Sequence, residues 1–187
     1  MPHPMMRTAG PRRLPARGAR SGFSLLEVLI AGVFLTIGLG GFASAVAHAL
    51  RLRESTRETG IAREAAQQLL ERMYAMDLGD VFAAYNADAG DDAKIAHAPG
   101  ASFQVRGLAP ASDGALNTVS FPVVDGALRE DVEDTELGMP RDLNGDGLLD
   151  GADHADDYRL LPVRIEIHWT GPAGIRKYVL NGLIGGA

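Results

Sequence analysis

One stretch constrains this chain more than any other: Gly22-Phe-Ser-Leu-Leu-Glu-Val-Leu-Ile-Ala-Gly-Val-Phe-Leu-Thr-Ile-Gly-Leu-Gly-Gly-Phe42. It is apolar almost throughout. From Phe23 to Leu50 the sole acidic residue is Glu27, and no Lys or Arg intervenes. At about 1.5 Å of rise per residue, a helix of this length crosses the roughly 30 Å hydrocarbon core of a bilayer. A carboxylate at the centre of such a helix costs about 2.5–3.5 kcal/mol, and less near an end. Glu27 therefore needs a reason. Before the run stand Arg7, Arg12, Arg13, Arg17 and Arg20, with no acidic residue among them. The whole chain of 187 residues carries 18 basic and 24 acidic side chains, a net charge of -6. Without residues 1–22 the balance becomes 13 basic against 24 acidic, or -11. By the positive-inside rule, a basic leader before an apolar span and an acidic remainder predict a cytoplasmic leader and an exported head. A head so acidic is unsuited to binding nucleic acid through a broad basic patch.

The basic leader, Gly22 and the run Phe23-Ser-Leu-Leu-Glu27-Val-Leu-Ile resemble the class III signal of type IV pilins and pseudopilins. The continuation Ile37-Gly-Leu-Gly-Gly41 resembles the PilV-type minor pilins. The likeness is specific over residues 17–42, weak over 43–77 and only architectural beyond. It implies cleavage by a prepilin peptidase between Gly22 and Phe23, and N-methylation of Phe23. It also implies that Glu27 attracts the new amino terminus of another pilin subunit during assembly. Such a protein is a structural subunit rather than an enzyme, held in the inner membrane by one span and then drawn into an extracellular pilus. A type II secretion pseudopilin shares the signal and the helix. A membrane-anchored calcium-dependent adhesin that never polymerises is a reading from another class.

Read from the residues alone, two other fates compete. An ordinary secretory signal would be cut after Ala45, Ala47 or Ala49, and an unprocessed anchor would not be cut at all. The apolar run exceeds the usual 7–15 residues of a secretory signal and contains a carboxylate, which argues against the first. Many members of the resembled family carry a proline inside the membrane helix, and this chain has none there. Gly38, Gly40 and Gly41 cluster instead, each costing about 1 kcal/mol in a helix interior. They either soften the helix or let neighbouring helices approach closely. Gly60 is a second weak point.

The fold these patterns predict is α+β, a long N-terminal helix packed on a small antiparallel sheet. Residues 1–22 form the leader, 23–50 the span, 51–77 an amphipathic half of the same helix, and 78–187 the head. Ile61, Ala65, Leu69, Met73 and Met76 recur at three- and four-residue spacing, giving one apolar stripe. A short helical turn is expected near Val81–Tyr85. Ser102–Arg106 alternates as a strand with Phe103 and Val105 inward, and Thr118–Val124 is a second candidate that Pro122 confines to an edge or breaks. Asp125–Pro140 reads as an acidic loop. The clearest element is a hairpin over residues 160–181. Val163, Ile165, Ile167 and Trp169 take one face, Arg164, Glu166 and His168 the other, and Arg176–Leu180 returns after turn residues Thr170–Gly174. Its apolar face needs a cover, and the stripe around Leu69 is the best candidate.

The chain has no cysteine, so disulfides and cysteine-based zinc motifs are excluded. Small exported domains often need such a staple. The segment from Asp142 to Asp153 offers another. Asp142, Asn144, Asp146, Gly147, Asp150 and Asp153 match positions 1, 3, 5, 6, 9 and 12 of the EF-hand loop template. Alternate oxygen side chains in a curled loop aim at one hard cation, Gly147 permits the sharp turn, Leu148 supplies a backbone carbonyl and Leu149 points into the core. Asp153 replaces the usual bidentate Glu, as in dockerin-like calcium loops, so the loop must close tighter or Asp156 or Asp157 must help. The flanks do not read as paired helices. The cofactor expected is Ca2+, and the bland alternative is a solvated turn. His3, His48, His97, His154 and His168 show no zinc spacing, and His154 reads as solvated. No nucleophile–base constellation is visible.

Overall fold

The computed structural model describes residues 22–88, 90 and 98–186. Residues 1–21 of the leader, with its five arginines and His3, lie outside the described residues, as does His97. Contacts divide the chain into two units, Met1–Val46 and Ala47–Ala187.

Helix α1 runs from Leu25 to Tyr74, unbroken at Gly38, Gly40, Gly41 and Gly60. Its N-terminal part is exposed on every side, including Leu26, Val33, Phe34 and Phe42. It is long and apolar enough to cross a membrane. A helix apolar all round is ordinarily buried in lipid or protein, because exposing so much apolar surface to water is costly.

From residue 62 onward one face of α1 is buried, through Ala62, Ala66, Leu69 and Met73. This corrects the predicted stripe by part of a turn. Leu69 and Met73 are as expected, but Ile61 and Ala65 sit at its edge, half-buried. The reason is steric. Alanines at the point of contact let the helix axis approach the sheet, whereas Ile61 there would hold it off.

Helix α2, Leu78–Tyr85, replaces the short turn predicted near its C-terminal half. Asp77 caps it, accepting from the Gly79 amide at 3.2 Å. Val81, Phe82, Ala84 and Tyr85 are buried. Tyr158 docks the helix with its hydroxyl, which donates to the Leu78 carbonyl and accepts from the Phe82 amide. Phe82 meets the ring of Phe121 edge-on, with centroids 5.3 Å apart.

One antiparallel sheet carries the order β1-β2-β5-β6, with β1 Ser102–Phe103, β2 Asn117–Ser120, β5 Leu160–Gly171 and β6 Gly174–Gly185. The hairpin extends further than predicted, with two strands of 12 residues paired from Leu160↔Gly185 to Gly171↔Gly174. Leu161, Val163, Ile165, Ile167 and Trp169 are all buried, on the predicted inner face. Arg164, Glu166 and His168 are half-buried on the other. The sheet and the buried face of α1 share one core.

The first strand is shorter than its alternation suggested. Phe103 and Val105 are half-buried between exposed neighbours, yet pairing with β2 ends at Phe103. Alternation reports which side faces the core, not whether a partner strand is present. Pro122 does break the second strand, having no amide to donate. Beyond it Val123–Val124 (β3) and Ala127–Leu128 (β4) form a separate hairpin. Its turn residues have φ of 52° at Asp125 and 87° at Gly126. That is the mirror-image turn preferred for two-residue hairpins, and Asp-Gly is its signature. The predicted acidic loop 125–140 is therefore partly strand, and it buries Leu128, Glu130, Leu137 and Met139. Arg164 ties it to β5, donating to Asp134 at 2.8 Å and Glu136 at 3.3 Å.

Candidate functional site

Two places carry the predicted site residues. At the helix terminus, Gly22 and Phe23 precede α1, and Phe23 is 82% exposed. Because α1 begins at Leu25, Ser24 stands at the N-cap position and Glu27 falls in the first turn. The spacing is that of a capping box. A carboxylate here gains about 0.3–1 kcal/mol from the helix dipole. That is smaller than the roughly 2.5–3.5 kcal/mol cost at a membrane-helix centre. Glu27 stands near the helix end, where that cost is itself lower than at the centre and the dipole offsets part of it.

The second place is the loop 142–153. Asp142 anchors its curl. One carboxylate oxygen accepts from the Gly145 amide at 2.5 Å, the other from the Gly147 amide at 2.8 Å. The Gly147 amide foremost, then that of Gly145 against some desolvation, hold the Asp142 carboxyl below the ordinary range. Gly147 has φ of 87°, the left-handed conformation its predicted turn demands. Asn144 Oδ1 accepts from the Asp146 amide at 3.0 Å, and Asp146 Oδ1 from the Leu148 amide at 2.7 Å. Asp150 Oδ1 accepts from the Ala152 amide at 2.7 Å. Asp153 Oδ1 accepts from the Leu128 amide at 3.0 Å and the Ala155 amide at 3.1 Å, tying the loop's end to β4.

Several expectations change here. Leu149 does not enter the core but is 55% exposed, and Leu148 is 65% exposed. Leu143 is the loop's buried anchor, its carbonyl accepting from the Arg159 and Leu160 amides at the start of β5. His154 is not solvated but buried. Its Nδ1 lies 3.0 Å from Asp157 Oδ1, and its Nε2 lies 3.2 Å from Asp150 Oδ1 and 3.8 Å from Glu130 Oε2. Burial pulls its pKa down, but the hydrogen bonds to Asp157 and Asp150, with the charge of Glu130, outweigh it and raise the pKa above the ordinary histidine value.

Glu130 was missed altogether. It is 1% exposed, and its Oε1 accepts from the Leu143 amide at 2.6 Å and the Asn144 amide at 3.2 Å. Nothing in its local sequence separates it from the acidic residues around it. Only the Asp125-Gly126 turn, which starts the path of the chain back toward the loop, hinted at the fold that buries it. The spacing Asp150–His154–Asp157 was visible in the sequence, but its convergence with Glu130 was not. Among the described residues, these are the side chains whose ligand atoms gather within 4.8 Å: Glu130, Asp150 and His154. Asp142, Asp146 and Asp153 do not join that trio.

The donors of loop 142–153 are hard oxygens around a left-handed turn, which fits Ca2+ by chemistry. The exposed Leu149 and the tether of Asp153 to β4 depart from the EF-hand pattern. Comparison of the chain with family models, curated proteins and solved structures found no match.

Proposed function

We propose that this chain is a membrane-anchored subunit of a fibre, stored in the inner membrane and assembled through its N-terminal helix. Within that class the reading is a PilV-type minor pilin, cleaved by a prepilin peptidase between Gly22 and Phe23, with a structural rather than enzymatic role. The observation that carries it is α1 itself: exposed and apolar over its first half, with Glu27 its lone carboxylate there, and with one face buried in the core it shares with the sheet from Ala62 to Met73. In a fibre core of low dielectric, the Glu27 carboxylate and a neighbour's Phe23 ammonium are each costly alone and tolerable as a pair. The exposed apolar surface becomes the contact between subunits.

One experiment tests both halves of the reading, using wild type and Glu27→Ala in cells that make the fibre. The expected result is a mature amino terminus at Phe23, N-methylated, by mass spectrometry of both proteins. Glu27→Ala should reach the membrane in full amount but be depleted from sheared fibres. A mature start after Ala45, Ala47 or Ala49 removes the reading. Cleavage at Phe23 with normal incorporation of Glu27→Ala removes the assigned role of Glu27.

We also propose that loop 142–153 holds one Ca2+ through Asp142, Asn144, Asp146, Asp150, Asp153 and the Leu148 carbonyl. Four aspartates in twelve residues repel one another, and a divalent ion relieves that repulsion. The loop feeds directly into β5 through Leu143, so closing it stabilises the sheet by linkage. At ten times the dissociation constant the gain is about 1.4 kcal/mol. Full-length protein in detergent should melt higher in millimolar calcium than in chelator, and the double variant Asp142→Ala, Asp146→Ala should show no difference. A wild type indifferent to chelator, with no heat of calcium binding, leaves the segment a solvated turn.

A further inference from the structure

We propose that Glu130, Asp150 and His154 form a second metal site, one that takes a divalent transition ion of the Zn2+ class. It stands independently of the calcium reading, with which it shares Asp150 as a ligand and Asn144 as a supporting residue. In the loop template the position of Asp150 is commonly filled through water, so the two sites do not require the same carboxylate oxygen.

The geometry is close to a coordination face. His154 Nε2 lies 3.2 Å from Asp150 Oδ1 and 3.8 Å from Glu130 Oε2, and all three ligand atoms fall within 4.8 Å of one another. Tetrahedral ligands bound at about 2.0–2.1 Å stand about 3.3 Å apart. Small side-chain rotations therefore close the trio on an ion.

Glu130 adds a second observation. It is 1% exposed, and its Oε2 makes no hydrogen bond among the described residues, meeting only His154 Nε2 at 3.8 Å. A buried carboxylate oxygen needs a cation, which a protonated His154 supplies without metal and a divalent ion supplies in its place. Its Oε1 is held by the Leu143 and Asn144 amides, which fixes the direction of Oε2.

The histidine is set as metal-bound histidines are. Asp157 Oδ1 lies 3.0 Å from Nδ1, and Asp157 is itself held by Asn144 Nδ2 at 3.1 Å. The carboxylate on the far nitrogen keeps a proton there, while the proton that Asp150 favours on Nε2 is the one an ion would displace to take Nε2 as its ligand. Imidazole nitrogen suits zinc-like ions, whereas calcium takes oxygen. Charge agrees. Three carboxylates around a protonated imidazole sum to -2, and around a neutral imidazole and a divalent ion to -1. The Asp150 side chain is 50% exposed, giving the ion an entry and room for a water ligand.

The test titrates untagged full-length protein in detergent with Co2+, whose visible absorption reports its coordination, in millimolar calcium throughout. Expected are one Co2+ per chain with four- or five-coordinate bands, displacement by Zn2+, and a loss of affinity of at least 100-fold in His154→Gln. Asp157→Asn, which touches only the far nitrogen, should weaken binding about 10–100-fold. Asp142→Ala should leave Co2+ binding within threefold. Glu130→Gln keeps an acceptor for the Leu143 and Asn144 amides, so it reports on the metal even if His154→Gln misfolds. It should weaken Co2+ at least tenfold. No bands in wild type would make His154 a protonated partner of its carboxylates and overturn the site. Undiminished binding in Glu130→Gln would do the same, and loss of binding in Asp142→Ala would place the ion in the loop instead.

Discussion

Met73→Asp is expected to unfold the sheet-bearing unit, while Gln67→Asp on the exposed side of the same helix changes stability by less than about 0.5 kcal/mol. Met73 is fully buried and Gln67 exposed. Met73 shares its core with Val163, Ile165 and Ile167, and none of these side chains can pair with a carboxylate. An unpaired buried charge costs about 3–5 kcal/mol, against a total stability of about 5–15 kcal/mol for an ordinary domain. The loss of thioether packing adds to that. Trp169 provides the readout, because it is the chain's single tryptophan and is 1% exposed. Urea unfolding of the full chain in detergent, followed by its emission, should find Met73→Asp with red-shifted emission before denaturant is added. A midpoint equal to that of Gln67→Asp would mean that this face of α1 does not cover the sheet.

The second large effect is expected at Glu130. Glu130→Ala orphans the Leu143 and Asn144 amides together. An unsatisfied buried donor costs about 1–3 kcal/mol, so the two amides together predict a loss of about 2–6 kcal/mol. Glu130→Gln retains an amide oxygen in the same place and should lose less than half as much. The comparison isolates the acceptor from the charge. Hydrogen exchange adds a local measure: the Leu143 amide should lose protection in Glu130→Ala well before the amides of β5 do. If Ala and Gln variants unfold at the same urea concentration as wild type, Glu130 does not hold this loop.

Met73 lies on the surface that makes the C-terminal part of α1 part of the folded unit. Glu130 lies where a loop joins β5, so it reports how an acidic segment is ordered in a chain without disulfides.

What was legible in the sequence was local and periodic. The apolar run from Phe23 to Leu50, with Glu27 alone inside it, reads as a helix because length and hydropathy act along the chain. The hairpin read clearly because alternation has a period of two, and Val163, Ile165, Ile167 and Trp169 keep it without a break. The Asp142–Gly147 turn read clearly because Asp, Asn and Gly bond their own backbone within a few residues. What the tertiary structure decided was every matter of facing and convergence. A stripe of Ile61, Ala65, Leu69 and Met73 and one of Ala62, Ala66, Leu69 and Met73 both repeat at helical spacing. Only contact with the sheet selects the second, since small side chains permit the closer approach. Glu130 looks like any residue of an acidic loop until β4 carries it to the Leu143 and Asn144 amides. His154 looks solvated until Asp150, Asp157 and Glu130 close around it. Periodicity reports how a segment is built, whereas these groups meet across some twenty residues of chain, and only the packed core brings them together.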